Sequence, residues 1–172
     1  MKLKTSDMVI IAVFSALISV FSLITIPTPF GIPITLQTFI IAVAGFTLGS
    51  AKGFASTAVY IAVGIVGLPV FSGFQGGFSA LFGMTGGFIV GFIPLVIFCG
   101  MNCKNSLFRI FLGITGLLVC HLCGVLWVSF ITGNILTAFL TVSVPYLVKD
   151  IISVVFALFI SKKLSVIIQK FN

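Results

Sequence analysis

The sequence predicts an all-α integral membrane protein of six transmembrane helices with both termini in the cytoplasm. Three observations predict it. First, 60% of the 172 residues are hydrophobic and 6% charged, with a mean hydropathy of +1.39, so the chain cannot keep a polar surface toward water as a soluble domain does. Second, apolar runs cover residues 8–26, 34–51, 54–69, 84–101, 107–131 and 142–161. Most approach the ~20 residues a helix needs to cross a ~30 Å hydrocarbon core. Third, eight of the nine cations alternate in side: Lys2 and Lys4, Lys52, Lys104 and Arg109, then Lys162, Lys163 and Lys170, while the gaps 27–33, 70–83 and 132–141 hold no Lys or Arg. The positive-inside rule places the cationic side in the cytoplasm. The ninth cation, Lys149, lies inside the last run beside Asp150.

The first run follows Lys2 and Lys4 as a signal peptide would, yet it exceeds ~15 residues and no small-x-small cleavage site follows. It is read as a retained helix, the first of one domain spanning 1–172 with no linker. The net charge of +7 could suggest nucleic acid, but its carriers are scattered through short gaps with no soluble basic face. They orient the protein and touch anionic lipid.

Along the chain, the gap Pro27-Thr28-Pro29-Phe30-Gly31-Ile32-Pro33 is stiffened by its prolines into a rigid rim. Gln37 follows just inside the second run, placed either to aim its amide at a solute or to bond a neighbouring helix. The segment 69–88 carries six glycines, several phenylalanines and no charge, where a solvated loop would be polar. Either it closes over a small ligand, its glycines admitting close backbone approach and its rings offering flat apolar faces, or it is a re-entrant turn that only packs. The first use is favoured.

Small residues recur at four-residue spacing: Ala12 and Ala16, Gly45 and Gly49, Gly49 and Gly53, Gly83 and Gly87, Gly87 and Gly91. Such pairs let helix backbones approach closely in lipid. Ala12 and Ala16 sit on a terminal helix and could meet another protein. Cys99 and Cys103, and Cys120 and Cys123 flanking His121, lie on apolar helices in a chain with one histidine, so no metal site is expected and the thiols are read as buried packing groups. No disulfide is expected in a reducing or lipid setting.

The last runs carry the intramembrane ionisable groups His121, Lys149 and Asp150. A charge at that depth costs several kcal/mol, so an intramembrane carboxylate is by default a functional group. Asp150 falls roughly 10 Å below the outer end of its helix at ~1.5 Å per residue. Adjacent helix positions differ by ~100°, so Lys149 and Asp150 should not stack well, leaving a ligand or another helix to share the pairing; the plain alternative is a neutral pair with Lys149 snorkelling outward. His121 is read as a hydrogen-bonded core histidine before a ligand or proton relay. The chain has no HExxH, GxSxG or paired-acid constellation, and no phosphate-binding loop, so catalysis is not expected and any active transport must be powered elsewhere.

Two strings, Pro33-Ile34-Thr35-Leu36-Gln37-Thr38 and Gly67-Leu68-Pro69-Val70-Phe71 continuing through Gly76-Gly77 to Gly83-Met84-Thr85-Gly86-Gly87-Phe88, resemble the BioY family over nearly the whole chain. These are the biotin-binding S components of energy-coupling factor transporters. The resemblance implies a single transmembrane substrate-binding domain in the cell membrane, a biotin pocket near the outer face capped by the loops 27–33 and 69–88, and an Ala-x-x-x-Ala stripe, here Ala12 and Ala16, that meets a transmembrane coupling subunit working with two ATPase subunits. No cofactor is implied. The ligand set it implies is Asp150, Lys149, Gln37, Phe71, Phe74, Gly76, Gly77, Phe78, Thr85, Gly86, Gly87 and Tyr146. Chemically, the ureido N–H groups suit Asp150, the thioether bicycle suits Phe71, Phe74 and Phe78, and the valerate suits a cation. The family's last helix usually reads Pro-Gly-Asp with Lys three residues later; here Asp150 matches, Ser153 holds the lysine position and Lys149, one turn higher on the same face, can supply the cation. The usual Pro and Tyr are replaced by Met84 and Phe88. The rival readings are an S component for another vitamin and an intramembrane enzyme.

Overall fold

The computed structural model describes residues 4–29 and 32–169. Of the residues named above, Lys2, Phe30, Gly31 and Lys170 lie outside that range.

Helix α1 (Thr5–Leu23) buries Ile11, Phe14, Ser15, Ile18 and Ser22, a stripe at three- and four-residue spacing, and packs on α2. Its opposite face carries Met8, Val9, Val13 and Val20, with Ala12 and Ala16 exposed among them. The proline-rich gap is a small hairpin: β1 (Thr25–Ile26) pairs antiparallel with β2 (Ile34–Thr35), Thr25 opposite Thr35 and Ile26 opposite Ile34. Proline cannot donate to a ladder, which confines the pairing to the non-proline residues on either side.

Helix α2 runs Gln37–Val66 with one break, at Gly49, whose φ of 78° and ψ of 171° only glycine adopts without strain. The break reverses the chain. A straight helix would hold Gln37 and Tyr60 about 35 Å apart, yet Gln37 Nε2 donates to the Tyr60 hydroxyl. Likewise a Cβ on Gly53 would lie 3.2 Å from Gly45 Cα. The two predicted runs 34–51 and 54–69 are therefore the arms 37–48 and 50–66 of one hairpin. Gly67, at φ 117°, caps the second arm.

A long connection follows, containing a short 3₁₀ turn at Phe78–Phe82, and leads into α3 (Gly86–Gly100). Helix α4 (Ser106–Thr132) starts on Asn105, whose side chain accepts from Leu107 N–H. The expected outer gap 132–141 is instead largely a helix, α5 (Ile135–Val142), capped by Asn134 accepting from Thr137 N–H. It carries no charge, and its Ala138 and Val142 are buried against Tyr146. Helix α6 (Val144–Gln169) completes the chain and outruns the predicted end at 161.

Helix α3 is central and packs on both α2 and α4. Its glycines and those facing it permit that: a Cβ on Gly45 would lie 2.7 Å from Cys99 Cβ, and one on Gly91 2.9 Å from Cys120 Cα. One end of the bundle gathers the Gly49 turn, the Lys52–Asp7 ion pair and Arg109, which donates to Phe46 O at 2.7 Å and lies 5.4 Å over the Phe46 ring. Among the described residues, α1, α4 and α6 are single helices long and apolar enough to cross a membrane, α2 is as apolar but folded into its two arms, and α3 is a shorter apolar helix.

Candidate functional site

At the end opposite the Gly49 turn, a cavity opens between four elements. Helix α6 supplies Tyr146, Lys149 and Asp150, which share a face because they are three and four residues apart. The start of α2 supplies Gln37 and Thr38, the hairpin Pro33 and Thr35, and α3 supplies Phe88, Ile89 and Phe92. The long loop closes the wall with Phe71, Ser72 and Thr85. An outer vestibule of about 790 Å³ shares Pro33, Ser72 and Thr85 and adds Thr25, Gln75 and Met84.

The wall is braced by buried polar contacts. The Tyr146 hydroxyl donates to Ile32 O and lies 2.9 Å from Thr28 Oγ1, tying α6 to the rim. Ser22 at the end of α1 donates to Val70 O in the loop. Phe71, 1% exposed, meets Tyr60 edge-on at 5.5 Å. Gln37 lines the cavity, and its Nε2 is engaged by the returning arm of α2.

Asp150 is 5% exposed and is the cavity's one carboxylate. Its Oδ2 lies 3.3 Å from His121 Nε2, and His121 Nδ1 lies 3.0 Å from Ser143 Oγ. Lys149 Nζ lies 2.5 Å from Oδ1 and donates to Thr35 O at 2.9 Å. Lys149 and Oδ1 form a buried ion pair. Lys149 and Asp150 pair although adjacent positions do not stack, as the plain alternative allowed, because the long lysine stem folds back to the carboxylate. Another helix, α4, shares the pairing through His121.

Of the residues expected at the site, the structure brings Asp150, Lys149, Gln37, Phe71, Thr85 and Tyr146 to the cavity wall. It does not bring the others. Phe74 and Phe78 are 68% and 62% exposed, Phe78 packing on Phe82 at 5.3 Å. The glycines shape the backbone: a Cβ on Gly76 would lie 2.3 Å from Leu68 O and one on Gly86 1.8 Å from Leu81 O, Gly77 N–H bonds Gly64 O at 2.7 Å, and Gly87 lets α3 press on Trp127 of α4. The apolar walls are instead Phe71, Phe88, Ile89 and Phe92. Phe88 and Phe92, four apart at the start of α3, carried a helical spacing that could have marked them as a wall.

The sequence profile of the BioY family matches residues 1–170. The chain belongs to the BioY family. It is 34% identical to a probable biotin transporter BioY of Pyrococcus horikoshii, over 94% of this chain and 98% of that one. It is 36% identical to the biotin transporter BioY of Thermotoga maritima, over 88% and 91% of the two chains. Its fold matches the crystal structure of the S-component for biotin from an ECF-type ABC transporter with a TM-score of 0.86, covering 95% of this chain and 94% of that one at 23% identity. This BioY-family chain is accordingly a multi-pass protein of the cell membrane.

Proposed function

We propose that the chain binds biotin in the α2–α3–α6 cavity and serves as the substrate-specific S component of an energy-coupling factor transporter. The single observation that carries the reading is the pairing of Asp150 Oδ1 with Lys149 Nζ at 2.5 Å in a cavity otherwise lined by apolar side chains, hydroxyls and the Gln37 amide. A ureido ring presents an N–H donor and a carbonyl acceptor side by side, which a carboxylate and an ammonium at that spacing match. Lys149 is thereby assigned to the ureido oxygen and not to the valerate, because its ammonium stands beside Asp150. Phe71, Phe88 and Phe92 wall the bicycle. The valerate extends toward the vestibule and its hydroxyls, Ser72 and Thr85.

The cationic end is the cytoplasmic one, with both termini there, so the cavity faces outward. Ala12 and Ala16 on the open face of α1 give the transmembrane coupling subunit a close-approach stripe, and two ATPase subunits power the cycle. Lipid covers the remaining apolar surface. Titration of biotin into purified protein tests the reading: saturable one-to-one binding is expected, and binding of an unrelated vitamin with none of biotin would overturn it.

A further inference from the structure

We infer that His121 is a positioning residue for ligand recognition: by holding Oδ2 it fixes the Asp150 carboxylate with Oδ1 beside Lys149. The inference rests on the biotin reading. His121 is 4% exposed and is not part of the cavity wall, so its hydrogen bonding reaches the ligand through Asp150. Both ring nitrogens are engaged, Nε2 with Asp150 Oδ2 and Nδ1 with Ser143 Oγ. A carboxylate can only accept, so Nε2 carries a hydrogen, while Nδ1 shares one with the Ser143 hydroxyl. The ring has no freedom to turn away. Phe88, itself on the cavity wall, meets the imidazole edge-on at 5.7 Å and seals its face.

The consequence is specific. A carboxylate free to rotate about its terminal torsion would present either oxygen and would pay to be ordered when the ligand arrives. With Oδ2 held, Oδ1 stays next to Lys149, so the carboxylate and ammonium that would meet a ureido edge are assembled before binding. The two partners of Asp150 thus divide their roles by helix. Lys149 of α6 supplies charge at the cavity, while His121 of α4 supplies direction from behind.

A double-mutant cycle on biotin affinity tests this, with thermal unfolding in detergent confirming that each variant is folded. His121→Leu should lose about tenfold or more in affinity, as removal of a hydrogen bond to a charged group implies. His121→Gln, whose amide N–H lies near the position of Nε2, should restore most of it. Because His121 acts through Asp150, the double variant His121→Leu/Asp150→Asn should bind no worse than Asp150→Asn alone. In ¹⁵N spectra of the wild type, the single histidine should carry a proton on Nε2 with and without biotin. Wild-type affinity in His121→Leu, equal loss in the Gln and Leu variants, additive losses in the double variant, or a ring without a proton on Nε2 would each overturn the inference alone. Failure of the wild type to bind biotin at all would overturn the functional reading together with it.

Discussion

Asp150 carries the greatest burden of any residue because its charge is kept at depth by two neighbours. Asp150→Asn keeps the size but replaces an anionic acceptor with an amide bearing two donors that face Lys149 Nζ. Loss of charge-assisted bonds in a dry cavity should cost ~2–4 kcal/mol, or roughly 30- to 1,000-fold in biotin affinity. Calorimetric titration into folded variant decides it, and wild-type affinity there would sink the assignment. Lys149→Ala separates the two assignments for the lysine. If it serves the ureido edge, biotin and a biotin amide lose affinity alike; if it serves the valerate, only biotin does. The residues themselves, a carboxylate and a lysine in an apolar run, were legible as functional from the sequence, since lipid penalises any charge that does no work there. The partnership with His121 was not, because it depends on how α4 and α6 face each other, and nothing in the spacing of 121 and 150 encodes that.

Among the elements, the α2 hairpin is the most exacting, since two arms turn back on a single residue. Gly49→Ala meets little steric conflict, its nearest neighbour being Gly100 O at 3.8 Å, but must hold φ near 78°. Strain of ~1–3 kcal/mol should lower the unfolding temperature in detergent. Gly100→Ala should lower it further, because its Cβ would fall 2.3 Å from Ser50 N and force α3 away from the turn. A larger loss from Gly49→Ala would show that the turn is held by something other than this close contact. Helix α1 gives the opposite case, a face with nothing on it. Ala12 and Ala16 point out of the bundle, so replacing both with leucine should leave biotin binding intact while abolishing uptake in cells that supply the energising subunits. Loss of binding in the purified variant would count against the stripe as a partner surface. Gly67 and Gly133 cap α2 and α4, where the predicted runs ended at 69 and 131. The helix α5 was missed because an uncharged, short apolar stretch between two runs looks the same whether it turns or coils.

For the molecule as a whole, the segregation of charge and cavity to opposite ends makes a topological statement. In a background lacking the four native cysteines, a cysteine at the exposed Ser79 should react with an impermeant reagent from outside intact cells, and one at Lys104 should react only after lysis. Labelling at 104 from outside would invert the orientation. The six crossings were visible in hydropathy, and the rim and loop in their prolines and glycines. What no pattern disclosed is that the motif glycines build the loop while the cavity is walled by α3, since a close backbone approach and a ligand contact leave the same letter in the sequence.

The pairing of Lys149 with Asp150 also bears on membrane voltage. A transmembrane potential does ~2.3 kcal/mol of work per elementary charge per 100 mV, and a cavity whose only two charged lining residues, among those described, cancel presents almost nothing for that field to pull on. Whatever displacement of the cavity across the bilayer accompanies delivery, the share of the electrical work that falls on these two lining residues is close to nil. The voltage dependence of transport should then follow the ligand's own charge, so that an uncharged biotin amide accumulates equally in vesicles clamped at zero and at strongly negative interior potential.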